Sequence, residues 1–340
     1  MVDLAAELDR LAEEQAFSGV VRVDRQGVIE FEVAYGLADR AHGIAATPAT
    51  RFAAASGNKG LTALVVMQLI DAGRLTLSTP AREVLGSDLP LIADDVTIEH
   101  LLTHRSGIGD YLDEELDLDL DRDYLLPLPV QHLATVEAFV PLLDGHPTKF
   151  TAGARFSYCN GGFVVLALIA ERVSGVPYQD LVEQRVCAPA GMTKTSFLRT
   201  DELPGDAAVG YVIVDGRYRS NVFHLPVRGT GDGGIYTTVG DMAAFWSALF
   251  GGAIVPTGVV AKMTRPYATD DEEPHCRYGR GFWLHPSTDA VFLDGCDSGV
   301  SFRSVHDPAQ DLTHTVIANT TNGAWDITRL LATHLGTSWG

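Results

Sequence analysis

The chain has 340 residues, of which 46 % are hydrophobic and 20 % are charged, a composition typical of a globular protein with a large core and not of a disordered chain. Its 44 Asp and Glu residues outnumber its 25 Lys and Arg residues, giving a formal net charge of −19. Nucleic acids and anionic membranes are bound mainly through positive charge, so this balance argues against both partners and fits solubility or a preference for neutral or cationic substrates.

The first segment, residues 1–17, is predicted to contain an amphipathic surface helix, because Leu4, Leu8 and Leu11 recur at helical spacing. Acidic residues come early and no basic segment leads into an apolar run, so the pattern is not that of a signal peptide. No stretch approaches the ~18 consecutive apolar residues that a membrane span needs. The sequence therefore predicts a cytoplasmic protein, unless a leader has been removed.

Residues 19–35 alternate in hydrophobicity around a Gln26-Gly27 turn and are predicted to form a β-hairpin. A long apolar helix is then predicted from about Ser56 to Ala72, ended by a glycine.

The start of this helix carries a Ser-Gly-Asn-Lys motif, which places Ser56 and Lys59 on one helix face. A serine hydroxyl needs a base to become a good nucleophile, and a partly dehydrated lysine has a lowered pKa that suits this role. The N-terminus of the helix adds partial positive charge where an oxyanion would form. By itself the motif favours the simpler interpretation of a helix-capping serine and an exposed lysine.

The middle of the chain, from about 80 to 205, is predicted to be mostly helical, with clear helical patterns at 96–104 and 161–173. Within it, residues 110–123 carry eight carboxylates and one arginine. A solvated acidic loop is the simplest interpretation of this segment. The alternatives are the rim of a lid or a weak cation site, although the segment lacks the turn glycine usual in loops that bind hard cations.

A second motif, Tyr158-Cys159-Asn160, follows a Phe/Gly/Phe frame and directly precedes an apolar helix. From about residue 208 the pattern returns to strands, and a final helix is predicted at 325–335. The glycine-rich segment 229–234 matches a dinucleotide-binding pattern but lacks the strand and the acidic residue that such a site needs. His100 and His104 have the spacing of a zinc-binding helix but lack its glutamate base.

The four cysteines are widely spaced and form no CxxC pair, so neither a zinc knuckle nor a redox motif is predicted. In a cytoplasmic protein these thiols are expected to stay reduced. They are Cys159, Cys187, Cys276 and Cys296.

The two motifs, in this order, resemble those of the serine β-lactamases and penicillin-binding-protein-like hydrolases. The resemblance is strongest to the branch that holds class C β-lactamases, DD-carboxypeptidases, esterases and D-aminopeptidases. Further segments match that family in order: 101–108 (LLTHRSGI), 189–195 (PAGMTKT), 233–242 (GGIYTTVGDM) and 278–282 (YGRGF).

This resemblance implies a role for each residue of the two motifs. Ser56 would be the nucleophile, and Lys59 its hydrogen-bonded activator. Tyr158 would be a second base, favoured as phenolate by nearby positive charge, and would later protonate the leaving group. Asn160 would orient Lys59 and the substrate.

The third motif of the family, Lys or His followed by Thr or Ser and then Gly on a strand lining the site, has its best candidate at Asp297-Ser298-Gly299. An alternative register places Cys296 in the first position. The N–H groups of Ser56 and Val300 are predicted to form the oxyanion hole.

The carboxylate of Asp297 would repel the carboxylate of penicillins and DD-peptides. We therefore expect these to be poor substrates, and neutral esters or ammonium-bearing substrates to be better. Asp297 turned away from the pocket, or capping a turn, is the alternative.

The resemblance implies an α+β fold in which an antiparallel sheet is flanked by helices. Residues 1–75 and 206–340 would form an α/β subdomain and 76–205 a helical subdomain, with the active site in the cleft between them. The expected function is a serine hydrolase that forms an acyl-enzyme with small ester or amide substrates and needs no metal or organic cofactor. A β-lactamase or DD-carboxypeptidase, an acyltransferase and a non-catalytic binding relative are the alternatives.

Overall fold

The computed structural model describes residues 2–116, 118–269 and 277–337. Two residues discussed above, Asp117 and Cys276, therefore lie outside the described part. The structure combines helices with an antiparallel sheet, which confirms the predicted fold class.

The sheet has eight antiparallel strands in the order β2-β1-β14-β13-β12-β11-β10-β9, and three short strand pairs lie outside it. The strands are β1 (Gly19–Arg25), β2 (Val28–Tyr35), β3 (Leu37–Asp39), β4 (Ile44–Ala45), β5 (Phe52–Ala53), β6 (Tyr211–Val214), β7 (Arg217–Ser220), β8 (Tyr236–Thr237), β9 (Ala268–Thr269), β10 (Arg277–Tyr278), β11 (Trp283–Leu284), β12 (Val291–Asp297), β13 (Val300–Asp307) and β14 (Leu312–Ala318).

The α-helices cover both faces of the sheet and fill the middle of the chain. They are α1 (Val2–Glu14), α2 (Lys59–Asp71), α3 (Arg82–Leu85), α4 (Ile98–Leu102), α5 (Val140–Leu143), α6 (Asn160–Ser174), α7 (Tyr178–Val182), α8 (Ala188–Ala190), α9 (Val239–Phe250), α10 (Thr257–Met263) and α11 (Ala324–Leu335).

The alternation of strand β1 explains how the sheet separates two apolar cores. Val21 and Val23 pack with helices α1 and α11 on one face, while Val20 packs with the large core that contains α2, α6 and α9 on the other. The predicted hairpin 19–35 is present, and its turn residues Gln26 and Gly27 both have positive φ, as a tight hairpin turn requires.

Helix α2 begins differently from the prediction. Residues Ala55–Asn58 form a 3₁₀ turn, and the α-helix starts only at Lys59. Ala55, directly before the serine, has φ +42°, a strained conformation for a residue with a side chain. A Cβ at Gly57 would collide with the Phe302 ring, so glycine there lets the turn pack closely against strand β13.

The sheet is assembled from residues 19–35 and 268–318, and the longest helix, α6, lies between them in sequence and is buried over most of its length. The division of the chain into two subdomains stays a prediction. No single described helix is long and apolar enough to cross a membrane, although α6 and the following segment to Ala190 pass such a test as a pair bent by 85°.

Candidate active site

Ser56 and Lys59 lie within hydrogen-bond distance of each other at the start of α2. The Lys59 ammonium donates to Ser56 Oγ at 2.7 Å, to Asn160 Oδ1 at 2.7 Å and to the backbone oxygen of Asp232 at 2.8 Å. These three bonds use all three donors of the ammonium group and fix its direction. Ser56 is partly exposed to the cleft, whereas Lys59 is only 2 % exposed.

The burial of Lys59 has a chemical consequence. Removal from water lowers its pKa, because burial disfavours the charged form. The negative charges of Asp232, Glu114 and Asp110 act in the opposite direction and keep the shift from being larger. The site therefore holds an amine that can accept a proton from Ser56 more readily than an exposed lysine can.

Tyr158 lines the same pocket as Ser56, and the Ser56 hydroxyl is close enough to influence its pKa. Lys59 Nζ is 4.8 Å from the centre of the tyrosine ring, which is packed between the rings of Trp283 and His104 at centroid distances of 5.8 and 4.2 Å. Burial raises the pKa of Tyr158 well above its usual value, and Glu114 adds to the rise. The predicted phenolate is thus not the favoured form in the free site, and the neutral phenol is placed to act as an acid.

Asn160 is held by the acidic segment 110–123. It is the first residue of α6, and its Nδ2 donates to Glu114 Oε1 at 2.8 Å and to Leu112 O at 3.1 Å. The Asp110 carboxylate accepts the N–H groups of Asn160 and Gly161 and so caps the N-terminus of the helix. Burial raises the pKa of Asp110 to about 6 despite these bonds.

The third motif is displaced from its predicted position. Gly295 is the glycine that meets the Ser56 turn: a Cβ there would collide with Ala54 O and lie 2.9 Å from Ser56 N. In the family motif the Lys or His lies two residues before the glycine. Leu293 lies at that position here, and it is 2 % exposed. It packs on α2, since a Cβ at Gly60 would lie 2.6 Å from Leu293 Cδ2. The site therefore has an apolar side chain in place of the cation.

Asp297 is the last residue of β12, and Ser298, Gly299 and Val300 follow it at the turn into β13. Asp297 borders a pocket next to Ser56, but Ser298 is fully buried and donates to Leu120 O at 2.6 Å. Gly299, at φ +75°, occupies the turn, and Val300 packs in a small apolar cluster. The prediction that Ser298, Gly299 and Val300 line the substrate site is therefore wrong. The alternative register with Cys296 in the first position of the motif is also displaced, although Cys296 lines both pockets at Ser56.

The predicted oxyanion hole changes for the same reason. Asp297 and Val300 are opposite each other at the end of a two-residue hairpin, where the closing pair exchanges its backbone hydrogen bonds. The Val300 N–H is thus occupied. N–H groups alternate between the two edges of a strand, so the Cys296 N–H of β12 points away from β13. We therefore assign the Cys296 N–H, together with the Ser56 N–H, as the candidate oxyanion hole.

Two pockets meet at Ser56. The outer pocket, with a volume of about 560 Å³, has an apolar wall and an acidic rim. Its apolar lining consists of Leu112, Leu116, Leu118, Leu120, Phe156 and Trp283. The smaller inner pocket is lined by Glu114, Asp232 and Asp297 together with the hydroxyls of Tyr111 and Tyr124.

Sequence reasoning missed three of these groups, Asp110, Glu114 and Asp232. The first two belong to the segment interpreted as a solvated loop; most of its described acidic residues are exposed, and the segment also lines the outer pocket. Asp232 belongs to the glycine-rich segment 229–234, whose pattern had been set aside as accidental; it lies against Lys59 through a backbone oxygen that no side-chain pattern reports. Among the described residues, no group of three or more His, Cys, Asp or Glu side chains is arranged to hold a metal ion.

Comparison with known proteins shows the family to which the chain belongs. The model of the beta-lactamase family matches residues 4–334. The chain belongs to the beta-lactamase family. The solved structure of a penicillin binding protein from Bacillus halodurans is 36 % identical, superposes with a TM-score of 0.89, and is matched over 96 % of this chain and 99 % of that chain. The predicted family membership is confirmed.

Two curated relatives of this family member carry the names of hydrolases. Esterase EstB of Burkholderia gladioli is 33 % identical over 61 % of this chain and 55 % of its own length. A D-aminopeptidase of Brucella ovis is 29 % identical over 77 % of this chain and 48 % of its own length. The chain thus spans about half the length of these relatives, and at the level of the family the prediction of a serine hydrolase is confirmed.

Proposed function

We propose that this protein is a serine hydrolase that forms an acyl-enzyme on Ser56 from small esters or amides. The observation that carries the proposal is the 2.7 Å hydrogen bond between Lys59 Nζ and Ser56 Oγ inside a buried, dehydrated environment. A pure binding protein has no need of a nucleophile joined to a base of lowered pKa. The names esterase and D-aminopeptidase among the relatives support both ester and amide substrates.

The proposed reaction begins with attack of Ser56 Oγ on the substrate carbonyl carbon while its proton passes to Lys59 Nζ. The negative charge that develops on the carbonyl oxygen is stabilised by the N–H groups of Ser56 and Cys296. The bond to the leaving group then breaks, and the leaving group takes a proton from the Tyr158 hydroxyl, which regains one from Lys59. Water repeats the sequence on the ester at Ser56 and releases the acid.

The outer pocket sets the size of the substrate. A cavity of about 560 Å³ is in the range that takes a small organic molecule. Its leucine and aromatic wall favours an apolar acyl or leaving group. Because both pockets open at Ser56, such a group extends outward from the reacting carbonyl.

β-Lactams and peptides ending in a carboxylate are expected to be poor substrates. Leu293 replaces the cation or imidazole of the third motif, and the pocket walls carry several carboxylates. Arg155 lines the outer pocket but is already paired with Glu115 at 2.9 Å. The carboxylates of the pocket would therefore repel a substrate carboxylate, and Leu293 offers it no positive charge in compensation.

The experiment that tests the proposal is initial-rate hydrolysis of short p-nitrophenyl esters by the wild type, Ser56→Ala and the control Ser78→Ala, which lies in an exposed turn. Loss of the rate in Ser56→Ala alone supports the proposal. Equal rates in all three proteins reject Ser56 as nucleophile and favour the binding-protein alternative. Analysis of products with added alcohol separates hydrolysis from acyl transfer, since a transferase gives the new ester.

A further inference from the structure

The inner pocket next to Ser56 has an unusual charge. Three carboxylates line it, those of Glu114, Asp232 and Asp297, and among the described residues no lysine, arginine or histidine side chain does. The nearest cation, Lys59, has its three donors engaged as described above. The pocket therefore carries excess negative charge at the point where a substrate must enter to reach Ser56.

The three carboxylates differ in how well they are already bound. Asp232 accepts the Tyr111 hydroxyl, and Glu114 accepts Asn160 Nδ2 at 2.8 Å. Asp297 accepts only the Ser298 N–H, at 2.9 Å, and no side-chain donor in the described part of the chain is paired with it. Asp297 is thus the carboxylate with capacity for a further, charged partner.

Its electrostatic surroundings also favour a cation. Removal from bulk water raises the pKa of Asp297 to about 7, and the negative charges of Asp232 and Glu114 contribute to the rise, while Lys59 opposes it. The same loss of hydration raises the pKa values of Asp232 and Glu114. A positive group placed among them would relieve this repulsion and would find its own hydration replaced by carboxylate oxygens.

We propose that the inner pocket binds an ammonium group of the substrate at Asp297, so that the preferred substrates are aminoacyl esters or amides with an apolar substituent. This inference rests on the proposed function, since it takes the reacting carbonyl to lie at Ser56. Both pockets share Ser56 and Cys296, so the ammonium group must be only a few bonds from the carbonyl. The apolar substituent then occupies the leucine-lined outer pocket.

The test compares matched substrates that differ only in the amino group: leucine p-nitroanilide, in both enantiomers, and 4-methylpentanoyl p-nitroanilide. The proteins are the wild type, Asp297→Asn and the control Asp71→Asn, whose exposed aspartate at the end of α2 changes the net charge equally. For the wild type and the control we expect kcat/KM to be at least about tenfold higher for the better leucine enantiomer. In Asp297→Asn this preference, the ratio of the leucine to the 4-methylpentanoyl kcat/KM, should fall about tenfold, the effect of about 1.4 kcal/mol.

The two proposals fail in distinguishable ways. Hydrolysis of the 4-methylpentanoyl anilide, or of a p-nitrophenyl ester, without any preference for the amino partner overturns the ammonium site and leaves the hydrolase intact. A preference that persists unchanged in Asp297→Asn assigns the recognition elsewhere and overturns the role of Asp297. Absence of all hydrolysis in the wild type rejects the hydrolase and the ammonium site together. The 4-methylpentanoyl rate also shows that Asp297→Asn is folded.

Discussion

Lys59 Nζ lies 2.7 Å from Ser56 Oγ, and the remaining two donors of the same ammonium group are held by Asn160 Oδ1 and Asp232 O. The lysine is buried, so it cannot turn toward water instead. This relationship joins the turn that carries the nucleophile to helix α6 and to the glycine-rich segment. It also fixes where a proton leaving Ser56 can go.

Replacement of Lys59 by methionine should remove the base while keeping the volume of the side chain. We expect kcat/KM for p-nitrophenyl esters to fall by about 10²–10⁴, the range for loss of a general base. Circular dichroism should show a folded protein. The control Lys262→Met, at an exposed position of α10, should keep wild-type activity. Wild-type kinetics in Lys59→Met would show that Lys59 does not activate Ser56.

Gly295→Ala should test the contact between strand β12 and the Ser56 turn. The new Cβ would lie 2.9 Å from Ser56 N and would displace an oxyanion donor. We expect kcat to fall by about 10²–10³, as for loss of one such donor. Gly258→Ala, in α10 with nothing within 4 Å of its added Cβ, is the matched control. A folded Gly295→Ala enzyme with unchanged kcat is incompatible with the assigned donor pair.

The dependence of stability on pH should reveal the titration of Asp297, which is partly buried. Its pKa in the folded protein is raised from 3.8 to about 7, so the folded state holds this proton more tightly than the unfolded state does. Its contribution to stability is therefore present below about pH 4 and is lost as the pH rises through about 7. Urea unfolding at pH 5 and pH 8 should show that Asp297→Asn gains stability relative to the wild type at the higher pH. An identical difference at both values would mean that Asp297 does not titrate in this range.

Asp110 should stabilise the protein through the start of α6. Asp110→Ala leaves the Asn160 and Gly161 N–H groups without their acceptor, at a cost of about 1–3 kcal/mol in the free energy of unfolding. Activity should fall as well, because Asn160 orients Lys59. Denaturant unfolding and ester hydrolysis measure the two effects, with the exposed Asp144→Ala as control. Unchanged stability in Asp110→Ala would contradict its role as a cap.

The sequence predicts those features that depend on local spacing. Ser56 and Lys59 are three residues apart, so a single helical turn brings them together, and the hairpin 19–35 follows from alternation around one turn. The placement of Tyr158 and Asn160 came from the family resemblance rather than from spacing. Both now lie beside Ser56 or Lys59.

The third motif could not be placed from the sequence because two glycines, Gly295 and Gly299, lie in one hairpin. Which of them meets the Ser56 turn depends on the pairing of β12 with β13 and on the packing of that hairpin against a distant segment. The roles of Asp232 and Glu114 are equally non-local, since each reaches the site from a loop whose course is set by tertiary contacts. Alternation of side chains gives no information about either.

The most direct test of the central claim is to trap the acyl-enzyme. The protein would be mixed with an excess of a p-nitrophenyl ester, quenched in acid during turnover, digested and analysed by mass spectrometry. We predict an added acyl mass on the peptide containing Ser56, absent in Ser56→Ala and increased when deacylation is slow. Turnover of the ester with the acyl group on another residue, or with no acylated peptide at any quench time, would contradict the account.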